Sequence, residues 1–236
     1  MLRTIIWFIY FWIYLIFIMP GLWRAEYLEK KGRIREHDDL VSKYVGKWAR
    51  SLLRLAGAKV TVIGLENIPD TASVFVSNHQ GNFDIPLMLG YVGKPKALIS
   101  KIEVQKLPII RSWMKHLNCM FIDRDDHRQA VKSISRSLEL LKKGYSIIIF
   151  PEGTRSKCDK IGTFKNGSFK MALKAGVPIV PITISGSYKL MEANKNIIKP
   201  AQVKITIHKA VETSEFSKED VSQLQERIRS IIDIQS

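Results

Sequence analysis

The sequence predicts one α/β domain whose central, largely parallel or mixed β-sheet is flanked by helices, preceded by an N-terminal two-helix membrane-binding segment. Two patterns indicate this architecture. Short β-branched runs alternate with helical stretches after Leu52, as in sheets whose parallel strands are joined by helices. A strongly apolar run without charges precedes them. We expect N-terminal membrane-anchoring helices over residues 1–52 and the α/β domain over residues 53–236.

Composition limits the classes of protein that this chain can represent. Its 236 residues are 46% hydrophobic and 25% charged, which supplies a core and excludes a disordered chain. The net charge of +15 predicts an anionic partner: nucleic acid, an anionic membrane surface or a phosphorylated substrate. The cysteines, Cys119 and Cys158, give neither a disulfide framework nor a zinc site, which fits a reducing compartment.

The apolar run from Thr4 to Met19 contains no charged residue, and the uncharged stretch continues to Trp23. About 20 helical residues reach roughly 30 Å, the thickness of the hydrocarbon core of a bilayer. No small-x-small cleavage site follows the run, which favours an uncleaved anchor over a signal peptide. A second, amphipathic segment over residues 27–48 allows two arrangements, a spanning helix or a helical hairpin in one leaflet. If the helix spans, the Lys and Arg residues after the run keep the rest of the chain cytoplasmic.

Seven runs of apolar and β-branched residues are predicted strands. The uninterrupted run SIIIF is typical of a strand covered on both faces, and the alternation in the last run indicates an edge strand. Two prolines in the segment VPIVPI indicate an irregular or edge strand. Its apolar residues could line an acyl-binding surface, with a packed core strand as the default interpretation. The predicted strands are Lys59–Ile63, Ser73–Val76, Ala97–Ser100, Met120–Ile122, Ser146–Phe150, Ile179–Ile184 and Val203–His208.

Helices are predicted between these strands from apolar spacing and capping residues. One covers Arg128–Lys143, with Asp125 or Asp126 as its cap, and a short one covers Phe169–Ala175. The capping box Ser217–Asp220 precedes a final helix with apolar residues at helical spacing.

The segment SNHQGNFD follows the predicted strand SVFV and carries the first candidate site. In an open α/β sheet, ligands bind at the carboxyl ends of strands. His79 would leave the strand, Gly81 permits a tight turn, and Asp84 falls in the first turn of the next helix. A carboxylate beside an imidazole fixes its tautomer and leaves the other nitrogen free as a base. A buried turn with an incidental histidine is the alternative, and the remaining histidines, His37, His116, His127 and His208, have no comparable setting and no predicted role.

The segments FPEGTRS and FIDR follow two other strands and supply cationic side chains. Arg155 and Arg124 each offer a guanidinium whose geometry matches phosphate. The lysines that follow Arg155 extend a cationic loop, for which a solvated basic face is the alternative. A rival interpretation uses Asp123 and Asp125 as a D-x-D metal site of the kind that some sugar transferases carry. The sequence lacks the P-loop, the dinucleotide-binding glycine motif, the nucleophile elbow and the H-E-x-x-H motif, which weighs against those enzyme classes.

Four segments in this order, NHQGNFD, FIDR, FPEGTRS and VPIVPI, resemble the glycerophospholipid acyltransferases, most closely the bacterial 1-acyl-sn-glycerol-3-phosphate (lysophosphatidate) acyltransferases. That family often has Ser two residues after the histidine, where this chain has Gly81. The resemblance implies transfer of an acyl chain from a thioester to the sn-2 hydroxyl of lysophosphatidate, giving phosphatidate. His79 would take the hydroxyl proton and Asp84 would orient His79. The glycerol phosphate would be bound by Arg124, Glu152, Gly153, Thr154 and Arg155, and Lys101 resembles a further basic position of the family.

The resemblance also implies the partners. The expected co-substrate is an acyl carrier protein or coenzyme A thioester, and we expect no cofactor, no metal and no nucleic acid. The expected location is the cell membrane, with residues 53–236 as the acyltransferase domain on the cytoplasmic side, next to an anionic bilayer surface.

Alternative functions remain open at this point. The acceptor could be glycerol 3-phosphate, another lysophospholipid or a lyso-aminolipid. The protein could be a metal-dependent membrane glycosyltransferase that uses Asp123 and Asp125. It could also be a non-enzymatic, membrane-attached binder of nucleic acid that uses its net charge of +15, although no nucleic-acid-binding motif is present.

Overall fold

The computed structural model describes residues 1–93, 96–122, 127–217 and 219–233. Within these residues, seven strands form one sheet and eight α-helices cover it. The strands are β1 Ala58–Ile63, β2 Val74–Ser77, β3 Lys96–Lys101, β4 Met120–Ile122, β5 Ser146–Ile149, β6 Ile179–Ser185 and β7 Ala201–Ile207. The helices are α1 Leu2–Phe17, α2 Met19–Lys30, α3 Ile34–Ala56, α4 Asp84–Tyr91, α5 Pro108–His116, α6 His127–Lys142, α7 Gly167–Ala175 and α8 Val221–Asp233.

The strand order across the sheet is β1-β7-β6-β2-β5-β3-β4. All neighbouring strands are parallel except β6 and β7, which are antiparallel. The predicted class, an α/β domain with a largely parallel or mixed sheet, is therefore confirmed. Two apolar layers pack on the two faces of the sheet, and a third cluster joins α1, α2 and α3 to α5.

The register of the central strands places three loops side by side. Val74 of β2 lies opposite Ile147 of β5 and Ile179 of β6, all in parallel. The carboxyl ends of β2, β5 and β6 therefore lie at the same edge of the sheet. The segments SNHQGNFD and FPEGTRS leave the sheet at this edge, where ligands bind in such folds.

The prediction of an edge strand over Val203–His208 is wrong. This segment, β7, lies between β1 and β6. Its alternation comes from Gln202 and Lys204, which are exposed on one face while Val203 and Ile205 are buried on the other. A half-solvated inner strand and an edge strand give the same pattern, because burial of one face does not depend on strand order.

The segment VPIVPI forms an inner, buried strand, β6, so the packed core strand is confirmed and the edge prediction is wrong. The predicted irregularity is present. The sheet accommodates Pro181 at a bulge. Ile182 pairs with Ile207 and Ile179 bridges to Val211, so three residues, 208–210, lie opposite two. At this interruption the ladder needs no N–H from residue 181, so a proline fits there. The Pro181 carbonyl accepts a hydrogen bond from the His208 N–H.

The N-terminal helices pack as a hairpin with a bent first arm, and both the spanning and the one-leaflet arrangement stay predictions. Helices α1 and α2 meet at 41°, and α3 returns along them. The bend lies next to Pro20 in the first turn of α2, because proline has no N–H to continue the helical ladder. The Trp7 indole donates to the Leu52 carbonyl at 2.9 Å and holds α1 on α3. Helix α3 continues to Ala56, and the domain boundary after residue 52 stays a prediction.

Among the helices that the structure describes, none is by itself long and apolar enough to cross a bilayer. The bent pair α1 and α2 together has the length and composition of a span.

Candidate active site

His79 and Asp84 are in direct contact at the carboxyl end of β2. The His79 Nδ1 atom lies 2.7 Å from Asp84 Oδ2, and Asp84 is fully buried in the first turn of α4. Because the carboxylate accepts, Nδ1 carries the hydrogen and Nε2 carries the lone pair. The Phe150 ring stacks on the imidazole with a centroid separation of 4.2 Å and limits its rotation. The geometry gives His79 one oriented, basic nitrogen.

Three groups fix the Asp84 carboxylate. Oδ2 also accepts from the Gly81 N–H at 2.8 Å, and Oδ1 accepts from the Ser187 hydroxyl. Ser187 is held in turn by the buried Gln80, whose Oε1 accepts from the Ser187 N–H at 3.2 Å. These hydrogen bonds hold the carboxylate in place beside the imidazole.

Asn78 connects the end of β2 to β6. Its side-chain amide donates to the Ile184 carbonyl and accepts from the Ile184 N–H, both at 2.8 Å. Asn78 therefore acts as a turn-fixing residue and holds the loop that carries His79.

The FPEGTRS loop is attached to the His79 loop through backbone and carboxylate contacts. The N–H groups of Ser156 and Lys157 donate to the carbonyls of His79 and Gln80. Both Glu152 oxygens accept from the main chain, Oε1 from the His79 N–H at 2.7 Å and Oε2 from the Gly162 N–H at 2.8 Å. Burial raises the pKa of the Glu152 carboxyl, although these two bonds act in the opposite direction. Glu152 thus joins the two motif loops.

Arg155 extends from this loop over the next part of the His79 loop. Its guanidinium donates to Asn82 Oδ1 and lies 3.8 Å from Glu192 Oε1, with about a third of the side chain exposed. Thr154 is exposed beside it. Gly153 has φ of +70°, which glycine adopts without strain, and the Lys165 ammonium approaches it.

Sequence reasoning did not identify Ser187, Gln80 or Glu192 as parts of this site. Glu192 Oε1 accepts from the Asn82 N–H at 2.7 Å, and Oε2 is buried without a hydrogen-bond partner among the described residues. These contacts join residues about one hundred positions apart, so no local sequence spacing predicts them. The one available signal was the polar stretch directly after β6, which resembles the polar ends of β2 and β5.

Several predicted site residues lie outside what the structure describes. Arg124 falls in the undescribed segment 123–126, as do Asp123 and Asp125 of the rival metal interpretation. Lys101 ends strand β3, and its side chain is not described. The described candidates His79, Asp84, Glu152, Gly153, Thr154 and Arg155 lie in the two joined loops.

An apolar cavity of about 450 Å³ lies beside the His79 loop. Asn82 and Phe83 form its border with that loop. The rest of the wall comes from α1, α3, α4, β3, α5 and Met191 and is almost entirely apolar; it includes Trp7, Phe11, Leu52, Ile85, Leu98, Trp113 and Met114.

The comparison with known families identifies the family to which the chain belongs. A model of the acyltransferase family matches residues 59–185, more than half of the chain. The chain belongs to the acyltransferase family. The matched residues contain all four sequence motifs and both loops of the site.

Individual relatives agree with this assignment. A chloroplastic 1-acyl-sn-glycerol-3-phosphate acyltransferase of Arabidopsis thaliana is 43% identical over 66% of this chain and 44% of its own length. A probable enzyme of the same name from Mycoplasma pneumoniae is 39% identical over 68% of this chain and 62% of its own. The chain therefore spans about half the length of the plant relative and less than two thirds of the bacterial one.

The crystal structure of the 1-acyl-sn-glycerophosphate acyltransferase PlsC from Thermotoga maritima has the same fold. The two chains superpose with a TM-score of 0.87 at 31% identity, covering 98% of this chain and 92% of that one. The similarity includes the N-terminal helices as well as the α/β domain.

Proposed function

We propose that this protein is a 1-acyl-sn-glycerol-3-phosphate acyltransferase that transfers an acyl chain from a thioester to the sn-2 hydroxyl of lysophosphatidate and yields phosphatidate. The His79–Asp84 pair, at the edge of an apolar cavity, carries this proposal. The names of the relatives and of the Thermotoga structure support it. The family assignment favours acyl transfer over the glycosyltransferase and nucleic-acid-binding alternatives.

In this proposal His79 acts as the general base. Nε2 takes the proton of the sn-2 hydroxyl while the hydroxyl oxygen forms a bond to the thioester carbonyl carbon. The tetrahedral intermediate expels the thiolate, which takes the proton back from the imidazolium, so no acyl-enzyme forms. Asp84 holds Nδ1–H and stabilises the imidazolium during the step.

The acceptor phosphate would be bound by cationic groups next to His79. Arg155 occupies a position of this kind, and its exposed part is accessible to a ligand. We assign Arg124 and Lys101 to the same role on the family resemblance, with Thr154 and the Gly153 backbone as further contacts. Glu152 would contribute indirectly, because both of its oxygens hold the main chain of the two loops.

The cavity and the N-terminal helices suit a lipid substrate. The apolar cavity beside Asn82 and Phe83 would receive an acyl chain. Several large apolar side chains of α1 and α2 are exposed, among them Ile9, Trp12, Ile16, Phe17 and Trp23. We propose that this face lies in the cytoplasmic leaflet of the cell membrane, where the enzyme meets a membrane-bound acceptor and an acyl carrier protein or coenzyme A thioester.

An assay with a panel of acceptors and donors tests the proposal. Purified protein in mixed micelles is given acyl-coenzyme A or acyl carrier protein thioester with lysophosphatidate, glycerol 3-phosphate, lysophosphatidylethanolamine, lysophosphatidylcholine or a lyso-aminolipid. We expect free thiol and phosphatidate in equal amounts, with kcat/KM for lysophosphatidate at least about tenfold above the other acceptors. Thiol release on a different acceptor, without turnover of lysophosphatidate, would overturn the proposed substrate.

A further inference from the structure

Two histidines without a predicted role meet where the N-terminal hairpin contacts the α/β domain. His37 lies in the first turn of α3 and His116 ends α5, 79 positions later, and both are buried. His37 Nε2 lies 3.0 Å from His116 Nδ1. Glu29, in the last turn of α2, places Oε2 at 3.5 Å from the same His116 nitrogen.

The hydrogen bonds around His37 fix its tautomer. His37 Nδ1 lies 2.9 Å from Asp38 Oδ1, and Asp38 Oδ2 accepts from the Tyr145 hydroxyl at 2.8 Å. The Asp38 carboxylate is an acceptor, so Nδ1 carries the hydrogen and Nε2 of a neutral His37 presents its lone pair to His116. The space between the two imidazoles therefore requires a hydrogen or a metal ion.

The Glu29 carboxylate, a third possible ligand, favours a metal ion over a hydrogen at this position. A hydrogen bridges two atoms, whereas here two imidazole nitrogens and a carboxylate oxygen lie within 4.8 Å of one another. Ligands 2.0–2.1 Å from a tetrahedral zinc ion lie about 3.3 Å apart. The separations of 3.0 and 3.5 Å are close to that value, and Glu29, which is half exposed, can rotate to close the remaining gap.

The surroundings also have the features of a metal site. Metal-bound histidines usually donate their other N–H to a carboxylate, as His37 does to Asp38. The exposed Glu29 side gives an ion a route from solvent, while both imidazoles are shielded. Two imidazoles with one carboxylate suit a divalent transition ion and leave a fourth position for water.

We propose that Glu29, His37 and His116 bind a divalent transition-metal ion, for which zinc is the best match, with Asp38 orienting His37. The ion links the end of α2, the start of α3 and the end of α5. Trp113 and Met114, in the last turn of α5, line the apolar cavity, so the ion fixes one wall of that cavity relative to the N-terminal hairpin. The site contains no residue of the proposed acyl-transfer chemistry.

Metal binding by the full-length protein tests this inference. Protein freed of metal with a chelator is titrated with Zn²⁺ in detergent, and binding is followed by competition with a zinc indicator. We expect one ion per chain. His37→Gln and His116→Gln should each weaken binding at least about tenfold, and Asp38→Asn about 10- to 100-fold. Co²⁺ in the same protein should give the intense visible absorption of a tetrahedral ion with nitrogen and oxygen ligands.

A matched pair of exposed residues on α2 controls for folding. Glu29→Gln should weaken zinc binding about tenfold, whereas Glu26→Gln, one turn earlier, also exposed and not among the ligands, should weaken it by no more than about twofold. These two variants decide the question if a histidine variant fails to fold. The inference is overturned if wild-type protein binds no ion at a 1:1 ratio, or if Glu29→Gln binds zinc as Glu26→Gln does. Because the probe is the metal alone, the result does not depend on the acyl-transfer activity.

Discussion

The Glu192 carboxylate lies so close to Gly81 that it limits which side chains position 81 can hold. A Cβ atom at residue 81 would lie 2.5 Å from Glu192 Oε2, inside van der Waals contact. The other Glu192 oxygen holds the Asn82 N–H, so the carboxylate cannot move without loosening the His79 loop. A side chain at position 81 would therefore require the Glu192 carboxylate to move.

We predict that Gly81→Ala destabilises the fold by about 1–3 kcal/mol, because it overpacks a buried contact. Removing the carboxylate with Glu192→Ala provides space, so the double variant should be more stable than the sum of the single changes by at least about 1 kcal/mol. Denaturant unfolding of the four proteins in detergent measures this coupling. Additivity to within about 0.5 kcal/mol would show that the two residues do not interact.

The two cysteines should differ in reactivity. Burial raises the pKa of the Cys119 thiol to about 12, so little of the reactive thiolate is present at pH 8. Cys158 lies in the loop that follows Arg155. We expect iodoacetamide to label Cys158 and leave Cys119 unmodified in native protein, as determined by peptide mass spectrometry. Denatured protein, the control, should be labelled at both; equal rates in native protein would contradict the raised pKa of the Cys119 thiol.

At the scale of elements, α2 crosses α3 closely at Gly21. A Cβ atom there would lie 2.6 Å from the Tyr44 ring, which stacks on Trp113 of α5. We predict that Gly21→Ala lowers the free energy of unfolding by about 1–2 kcal/mol despite the better helix propensity of alanine.

Gly167, in the first turn of α7, is the matched control for Gly21. No heavy atom lies within 4 Å of a Cβ built at Gly167, so Gly167→Ala should be neutral or stabilising by up to about 1 kcal/mol. Thermal unfolding of both variants in the same detergent compares them. A Gly21→Ala protein as stable as Gly167→Ala would show that the helices do not pack as described.

The elements themselves were largely predictable from local patterns. All seven predicted strands are present. An apolar, β-branched run bounded by turn residues indicates a buried strand without reference to the rest of the chain. Strand order was not predictable in this way, so the alternation of Val203–His208 was misread as an edge. Helix α5, which is nine residues long and starts at Pro108, was not predicted, although its apolar residues follow a helical spacing.

The candidate site was predictable where its residues are neighbours in sequence. His79 and Asp84 are five positions apart and joined by a turn, so a strand end and one helix start bring them together. The contacts of Asp84 with Ser187 and of His37 with His116 join residues 103 and 79 positions apart. Such pairs are determined by the packing of whole elements, and no local spacing encodes them.

At the scale of the whole molecule, the exposed apolar face of α1 should determine membrane binding. Ile9 and Ile16 are each more than half exposed on that face. Replacing both by Glu removes apolar area and adds repulsion from anionic lipids, so binding should fall about tenfold or more. Flotation with vesicles containing phosphatidylglycerol measures this change.

Ile63, half exposed at the edge strand β1, is the control for that measurement. Ile63→Glu adds the same charge away from the N-terminal helices and should retain most of the vesicle binding. If the variant with Glu at positions 9 and 16 floats as well as Ile63→Glu does, α1 is not the membrane-binding element.

The central claim is that the imidazole of His79 takes the acceptor proton, and one rate comparison tests it most directly. His79→Gln keeps a side-chain N–H for Asp84 but supplies no base, whereas His208→Gln changes a histidine that bonds to Thr183 outside the site. With acyl thioester and lysophosphatidate, we expect His79→Gln to lose about 10²- to 10⁴-fold in kcat and His208→Gln to retain most of it. A folded His79→Gln enzyme with a kcat within about threefold of wild type would contradict the account.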